Sequence, residues 1–316
     1  QMCIRDRGAY ALLSAAAAMA PSRPALIALR FLQGVAAACA AVVTPGMVRA
    51  LFSESGAIRA LGLLGSLESL APAIAPIIGV WLLSRYGWQG SFWVTAGLAA
   101  CLSILVLAAR GFLPPLRGRA SRLGYWMLLR NPAFQRQALS QGLSLASLLV
   151  FVFAMPTVYV VALEGSLRDF ITMQVIGIST YIIAANLSGR LSDRYGAEPL
   201  IVAGSVLALF GALLLLGYGL LGGRSAAVIW AFFVPFNMGF GFRGPPAFFL
   251  ALKASDGDDG RASALIILYV MLFTAAGTAL LAPVVARGLA PAAAAAALLG
   301  ALSLLWLRVL PRPVDH

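Results

Sequence analysis

The chain has 316 residues, 61% of them apolar and only 11% charged, with a mean hydropathy of +0.92. Soluble domains are roughly 45–50% apolar and about 25% charged, so this composition excludes a water-soluble globular protein and places the chain in lipid. A net charge of +12 would suggest nucleic acid in a soluble protein, but here the basic residues sit in short connections between apolar runs, which points to membrane orientation and no nucleic-acid partner.

In chain order, residues Gln1 to Arg7 (QMCIRDR) resemble the translation of a sequencing-library adapter and are expected to stand outside the fold. Gly8–Ala20 is apolar but too short to span a core of about 30 Å at about 1.5 Å per residue, so a truncated helix is expected, in a chain whose first two helices and part of the third are missing. PSRP at 21–24 is a tight turn. Pro24–Leu51 and Ala57–Ser84 read as full spans, RYGW at 85–88 as a turn, and Gln89–Ala109 as the next span. One long break follows, 111–135, with Pro114 and Pro115; within it YWMLLRNPAF at 125–134 can lie flat at the headgroups or belong to a disordered linker. Arg136–Leu163, Asp169–Arg190, Pro199–Leu221, Ala226–Lys253, Arg261–Ala286 and Leu289–Leu310 complete an all-α integral membrane protein. The break separates a remainder of an N-terminal transmembrane half, 8–110, from a six-helix half with a short tail, 136–316.

Basic residues divide unequally between alternate connections. Fourteen, among them Arg49, Arg59, Arg190, Arg194, Lys253 and Arg308, fall on one side, and five, Arg23, Arg85, Arg168, Arg224 and Arg287, on the other. The richer side is cytoplasmic by the positive-inside rule, which puts the long break and the C-terminus inside the cell. Cys3, Cys39 and Cys101 have no pairing or metal spacing, and the sole histidine is His316. HExxH and GxSxG are both absent, so no enzyme, cofactor or metal site is expected.

Two ionisable residues lie within apolar spans. Arg30 is about 9 Å below the outer surface by helix rise and Glu68 about 17 Å above the inner one, nearly the same height in a core of about 30 Å. An ionisable group at such depth costs roughly 2.5–3.5 kcal/mol on insertion scales and marks a transport or proton pathway. Arg30 and Glu68, with Gln33, are therefore the candidates for proton coupling in a central cavity. A static ion pair, or a Glu68 facing water without a role, are the alternatives. Pro72 and Pro76 share a helix face with Glu68 and Gly79, a pattern for a kink and close packing. Gly189 and Gly196 permit a tight turn in GRLSDRYG, where Asp193 can accept from Arg59 or Lys253, while Arg190 and Arg194 can serve topology alone. In FNMGFGFRGPPAFF, Phe236, Asn237, Phe240 and Arg243 can line a cavity for bulky apolar compounds; Arg243 can equally snorkel to the cytoplasmic surface.

These residues carry a resemblance. LIALRFLQGVAAA at 26–38, with Arg30, Gln33 and Gly34, resembles the fourth-helix motif of major facilitator transporters, and APIIG at 75–79 their fifth-helix antiporter motif, with Ala75 and Val80 in place of the usual glycines. GRLSDRYG at 189–196 resembles the conserved loop of the second half, its trailing basic residues replaced by Ala197 and Glu198. GRASAL at 260–265 and LLRNPAF at 128–134 resemble the bicyclomycin-resistance (Bcr/CflA) branch of bacterial drug–proton antiporters, which usually has aspartate where Ala50 stands. The resemblance implies two six-helix halves, a multi-pass monomer in the inner membrane, and secondary active, proton-coupled export of small drug-like or amphipathic substrates by alternating access. It further implies a cytoplasmic gating loop at Gly189, Asp193, Arg194 and Gly196. A carrier of a metabolite or sugar, or a non-functional gene fragment, are the alternative readings.

Overall fold

The computed structural model describes residues 2–108, 124–255 and 257–310; the side chains of 2–6, 39–41, 72–73, 75–77 and 80 lie outside the described residues. Among the described residues ten α-helices follow one another: α1 (Met2–Ala18), α2 (Arg23–Leu51), α3 (Glu54–Ala108), α4 (Tyr125–Arg130), α5 (Pro132–Thr157), α6 (Leu167–Tyr195), α7 (Ala197–Leu220), α8 (Ala226–Lys253), α9 (Asp259–Leu281) and α10 (Leu289–Val309). A π-helical turn, Val158–Ala162, extends α5, and a 3-10 turn, Val285–Arg287, precedes α10. Eight helical segments among the described residues are long and apolar enough to cross a membrane.

The predicted spans are met with shifts at their ends. α1 begins at Met2, ahead of the expected Gly8 start. The spans expected at 57–84 and 89–109 form one helix, α3, broken at Gly87, whose φ of 67° is a conformation that glycine adopts without a Cβ clash. α5 begins at Pro132, four residues earlier than expected. Asn131 is its N-cap and accepts from the backbone N–H groups of Ala133 and Phe134, and proline at the first position is pre-set for helix. Ser166 and Asp169 form a capping box that starts α6 at Leu167. The remainder of the 111–135 stretch before Gly124 lies outside the described residues.

The chain divides into two compact units. One comprises residues 1–50 and 71–118, the other 51–70 and 119–316. In the second unit α8 packs against α6 and α7, and α5 against α9 and α10. Glycines allow close crossings: a methyl group at Gly204 on α7 would lie 2.7 Å from the Gly239 carbonyl of α8, and one at Gly211 2.5 Å from the Phe236 backbone N. Phe151, Phe233, Phe236 and Phe240 fill the centre, Phe151 lying 5.6 Å from both Phe233 and Phe236 by ring centroid.

A polar seam runs along the buried face of α5, with Gln137, Ser140, Gln141, Ser144 and Ser147 at helical spacing. Ser140 lies 3.0 Å from Ser303 of α10 by their hydroxyls, and its carbonyl and hydroxyl accept from Arg243 of α8 at 3.1 and 2.8 Å. Arg243 is fully buried, which corrects both expectations for it: it reaches neither an open cavity nor the membrane surface. The reason is geometric, since Gly204 lets α7 close over the Arg243 backbone and α5 supplies the acceptors within reach. Hydrogen bonds to a charged group contribute about 1.5–3 kcal/mol each. Ser140→Ala therefore lowers the unfolding temperature in detergent by several degrees, whereas Ser91→Ala, at a hydroxyl outside this seam, leaves it within a degree or so.

Candidate functional site

Arg30 and Gln33 of α2 form a polar cluster inside the first unit. Arg30 Nη1 donates to Gln33 Oε1 at 3.2 Å, and Gln33 Nε2 donates to Ser14 Oγ of α1 at 2.6 Å. Ser14 in turn donates to the Tyr10 carbonyl at 2.7 Å. The Arg30 guanidinium stands 4.7 Å from the ring centre of Phe92, a cation–π contact worth about 0.5–2 kcal/mol depending on desolvation. Gln33 is buried while Arg30 remains exposed, so glutamine anchors the charge to α1 without covering it.

Glu68 belongs to the second unit, because residues 51–70, which include the first part of α3, pack with the later helices. Below it, toward the start of α3, the helix crosses α6 at very short range. A methyl group at Gly62 would lie 2.5 Å from the Ala185 carbonyl, and one at Gly65 2.5 Å from the Tyr181 hydroxyl. One at Gly189 would run into the side chain of Arg59. Asn186 Nδ2 donates to Ser66 Oγ at 2.9 Å across the same crossing. Two ion pairs close its end: Arg59 with Asp193 at 2.6 Å, and Lys253 of α8 with Glu54 at 3.3 Å. Of the two partners open to Asp193 on sequence grounds, the structure selects Arg59. Gly196 has φ 85° and makes the turn between α6 and α7, as its place in GRLSDRYG requires, while Arg194 stacks over Tyr195 at 5.3 Å.

Glu68 itself is exposed, one helical turn beyond Gly65 and on the same face. By helix rise it stands about 21 Å from the start of α3, within the thickness of a hydrocarbon core. The carboxylate singled out by the sequence thus stands directly above a close helix crossing, although nothing in the motifs identified Gly62, Gly65, Tyr181 or Asn186 as its contacts. Small residues three apart, Gly62 and Gly65, were the available signal.

Other expectations are not met. A methyl group at Gly34 or Gly79 would touch nothing within 4 Å, so neither marks a close contact among the described residues. Pro72 and Pro76 lie on α3 with side chains outside the described residues. Asn237 donates to the Phe233 carbonyl of its own helix at 3.0 Å and is buried. Phe236 and Phe240 are core residues, walling only a narrow internal crevice with Ser144, Ser147 and Ser205. Aromatic stacking among four phenylalanines turns this face of α8 inward. The basic Arg136 also differs from a plain loop charge: it is buried, and Glu198 holds it.

A sequence family described as the Major Facilitator Superfamily matches residues 8–279. Among curated proteins, the chain is 24% identical over 258 residues to the multidrug transporter MdfA of Escherichia coli O6:H1, covering 78% of this chain and 62% of that protein. It is 28% identical over 180 residues to a bicyclomycin resistance protein homolog of Haemophilus influenzae, covering 55% of this chain and 45% of that protein. The chain thus spans 62% of the length of the MdfA proteins it matches. Among solved structures, the E. coli fucose:proton symporter FucP superposes with a TM-score of 0.77 at 15% identity, covering 99% of this chain and 84% of FucP. The human organic anion transporter MFSD10 (TETRAN) superposes with a TM-score of 0.74 at 19% identity, covering 96% and 76%. At these identities the structural likeness is one of fold.

Closeness of the α3–α6 crossing is directly measurable. Cysteines replacing Ser66 and Asn186, in a chain without its native cysteines, should cross-link rapidly under mild oxidation. Adding Gly62→Val, which places a branched side chain against the Ala185 carbonyl, should slow cross-linking at least several-fold.

Proposed function

Because the chain belongs to the Major Facilitator Superfamily, whose members are carriers rather than enzymes, we propose that it exports small amphipathic, drug-like compounds in exchange for protons by alternating access. The observation that carries this reading is the exposed carboxylate of Glu68 standing immediately above the glycine crossing of α3 and α6. A single carboxylate that takes either a proton or a cationic or polar-apolar compound couples the two by competition. Its position beside the seal lets that exchange bias which side is open.

The seal suits a reversible gate. Arg59–Asp193 and Glu54–Lys253 are each about half exposed, and exposed ion pairs contribute roughly 0–1 kcal/mol each. Specific fit comes from the glycine contacts, and the ion pairs add register and a modest latch. The two ion pairs therefore add no more than about 2 kcal/mol to the cost of opening. Drug-like substrates are favoured by the relatives, which carry the names multidrug transporter and bicyclomycin resistance protein homolog. The chain has no GxxxxGK[ST] loop, in keeping with a gradient rather than a nucleotide as the driving force. We place it in the inner membrane with the C-terminus in the cytoplasm, on the bias of basic residues. It acts there as a monomer. Arg30, anchored through Gln33, supplies a fixed positive charge on the first unit.

Glu68→Gln keeps the size and removes the titratable proton. Drug export by cells carrying it should fall at least tenfold while the amount in the membrane is unchanged; undiminished export removes Glu68 from the mechanism. Orientation is tested separately: a cysteine replacing Ser121, in a chain without native cysteines, should resist an impermeant thiol reagent on intact cells and react after permeabilisation. Reaction on intact cells at the rate of an external control reverses the topology.

A further inference from the structure

The ends of α5, α7 and α10 enclose a crevice of about 850 Å3 that the transport reading does not use. Its polar end is built from Arg136, Glu198 and Arg308, and its walls from Pro199, Val202, Leu304 and Val309. Arg136 is buried and held in place: Nε donates to the Leu307 carbonyl at 3.0 Å and Nη1 to Glu198 at 2.5 Å. Glu198 also accepts from Gln137, which is fully buried. The Glu198 charge is therefore matched by Arg136, and Arg308, exposed on the last turn of α10, leaves the mouth net positive.

We propose that this crevice binds the headgroup of an anionic phospholipid. Three observations converge on that occupant. Depth is the first: Glu198 is the second residue of α7 and Arg308 the last but one of α10, so the polar end sits where membrane helices meet the headgroups. Shape and chemistry are the second, since a site of this volume with a positive mouth and an apolar wall matches a phosphate on a glycerol backbone better than a soluble anion, which has no use for the wall. Continuity with lipid-facing surface is the third. Val202 is 37% exposed, Leu305 52% and Val309 62%, so the wall runs out onto apolar surface that only acyl chains can cover. Glu198 stands where the family's loop usually carries basic residues; here it orients Arg136, and Arg308, without an ion pair among the described residues, provides the second positive charge. That the leaflet is the cytoplasmic one rests on the orientation proposed above; binding itself does not.

The test is native mass spectrometry of the purified protein titrated with phosphatidylglycerol and, separately, phosphatidylcholine. Wild type should hold one phosphatidylglycerol in clear preference to phosphatidylcholine. Arg308→Gln should weaken that adduct about fivefold, the contribution of one basic side chain near a charged lipid. Val202→Trp, which fills the wall from the lipid edge and keeps every charge, should abolish the preference. Leu304→Trp fills the same wall from α10 and serves where Val202→Trp lowers the unfolding temperature. Equal adducts of both lipids overturn the proposal, as does a preference that survives filling of the wall. Full displacement of the lipid by inorganic phosphate would show a free-anion site instead. Because the readout is an adduct mass, a transport-inactive protein still reports, so failure here and failure of the export reading are distinguishable.

Discussion

A charge or hydrogen-bonding group carried into hydrocarbon must be met by the protein, since no water is present to meet it. That constraint explains how the ionisable residues of the second unit are arranged. Arg243 is wrapped by α5, α7 and α8 and bonded to Ser140; Arg136 is bonded to Glu198 and to the Leu307 carbonyl. Both are static fixtures: Ser140 and the Leu307 carbonyl hold them from inside the bundle and a partly exposed Glu198 from its edge, and removal of a partner would leave an orphaned cation. Glu68 is different. It is exposed on α3, beside the close crossing of α3 and α6. A group left accessible at that depth can exchange a proton or meet a cation, which the buried arginines cannot do.

The crossing of α3 and α6 gains its specificity from what is missing. Gly62, Gly65 and Gly189 bring backbone and side chains so near that even a methyl group would collide. Lipid offers little hydrophobic drive for helix association, so close van der Waals packing and a few polar contacts carry it. Asn186–Ser66 and Arg59–Asp193 supply those polar contacts, and Glu54–Lys253 ties the start of α3 to α8.

The helices were largely legible, because apolar length is a strong signal in a chain that must satisfy every backbone group internally. RYGW located the break at Gly87, and GRLSDRYG located both the turn at Gly196 and the acid that meets Arg59. Glu68 was found by its charge in an apolar run. What sequence could not show was direction around a helix. The phenylalanines of α8 and Asn237 were equally compatible with cavity, lipid and core, and stacking with Phe151 settles them in the core. Arg243 sat at a depth compatible with snorkelling, and only the serines of α5 and α10 reveal that it is held inside. Gly34 and Gly79 matched motifs without meeting a neighbour among the described residues, whereas Gly62 and Gly65, outside any motif, lie so close to α6 that a methyl group at either would stand 2.5 Å from it. Glu198 read as a departure from a pattern and proves to be the counter-ion of Arg136.

We propose that a proton gradient, acting through the Glu68 carboxylate, drives export. Everted membrane vesicles from cells expressing the transporter test it directly, with a fluorescent lipophilic cation outside, no nucleotide present, and an imposed gradient acidic inside. Accumulation should begin with the gradient and collapse on addition of a protonophore. Accumulation that requires ATP and persists with the protonophore would contradict it, as would gradient-driven movement of a sugar with none of the cation.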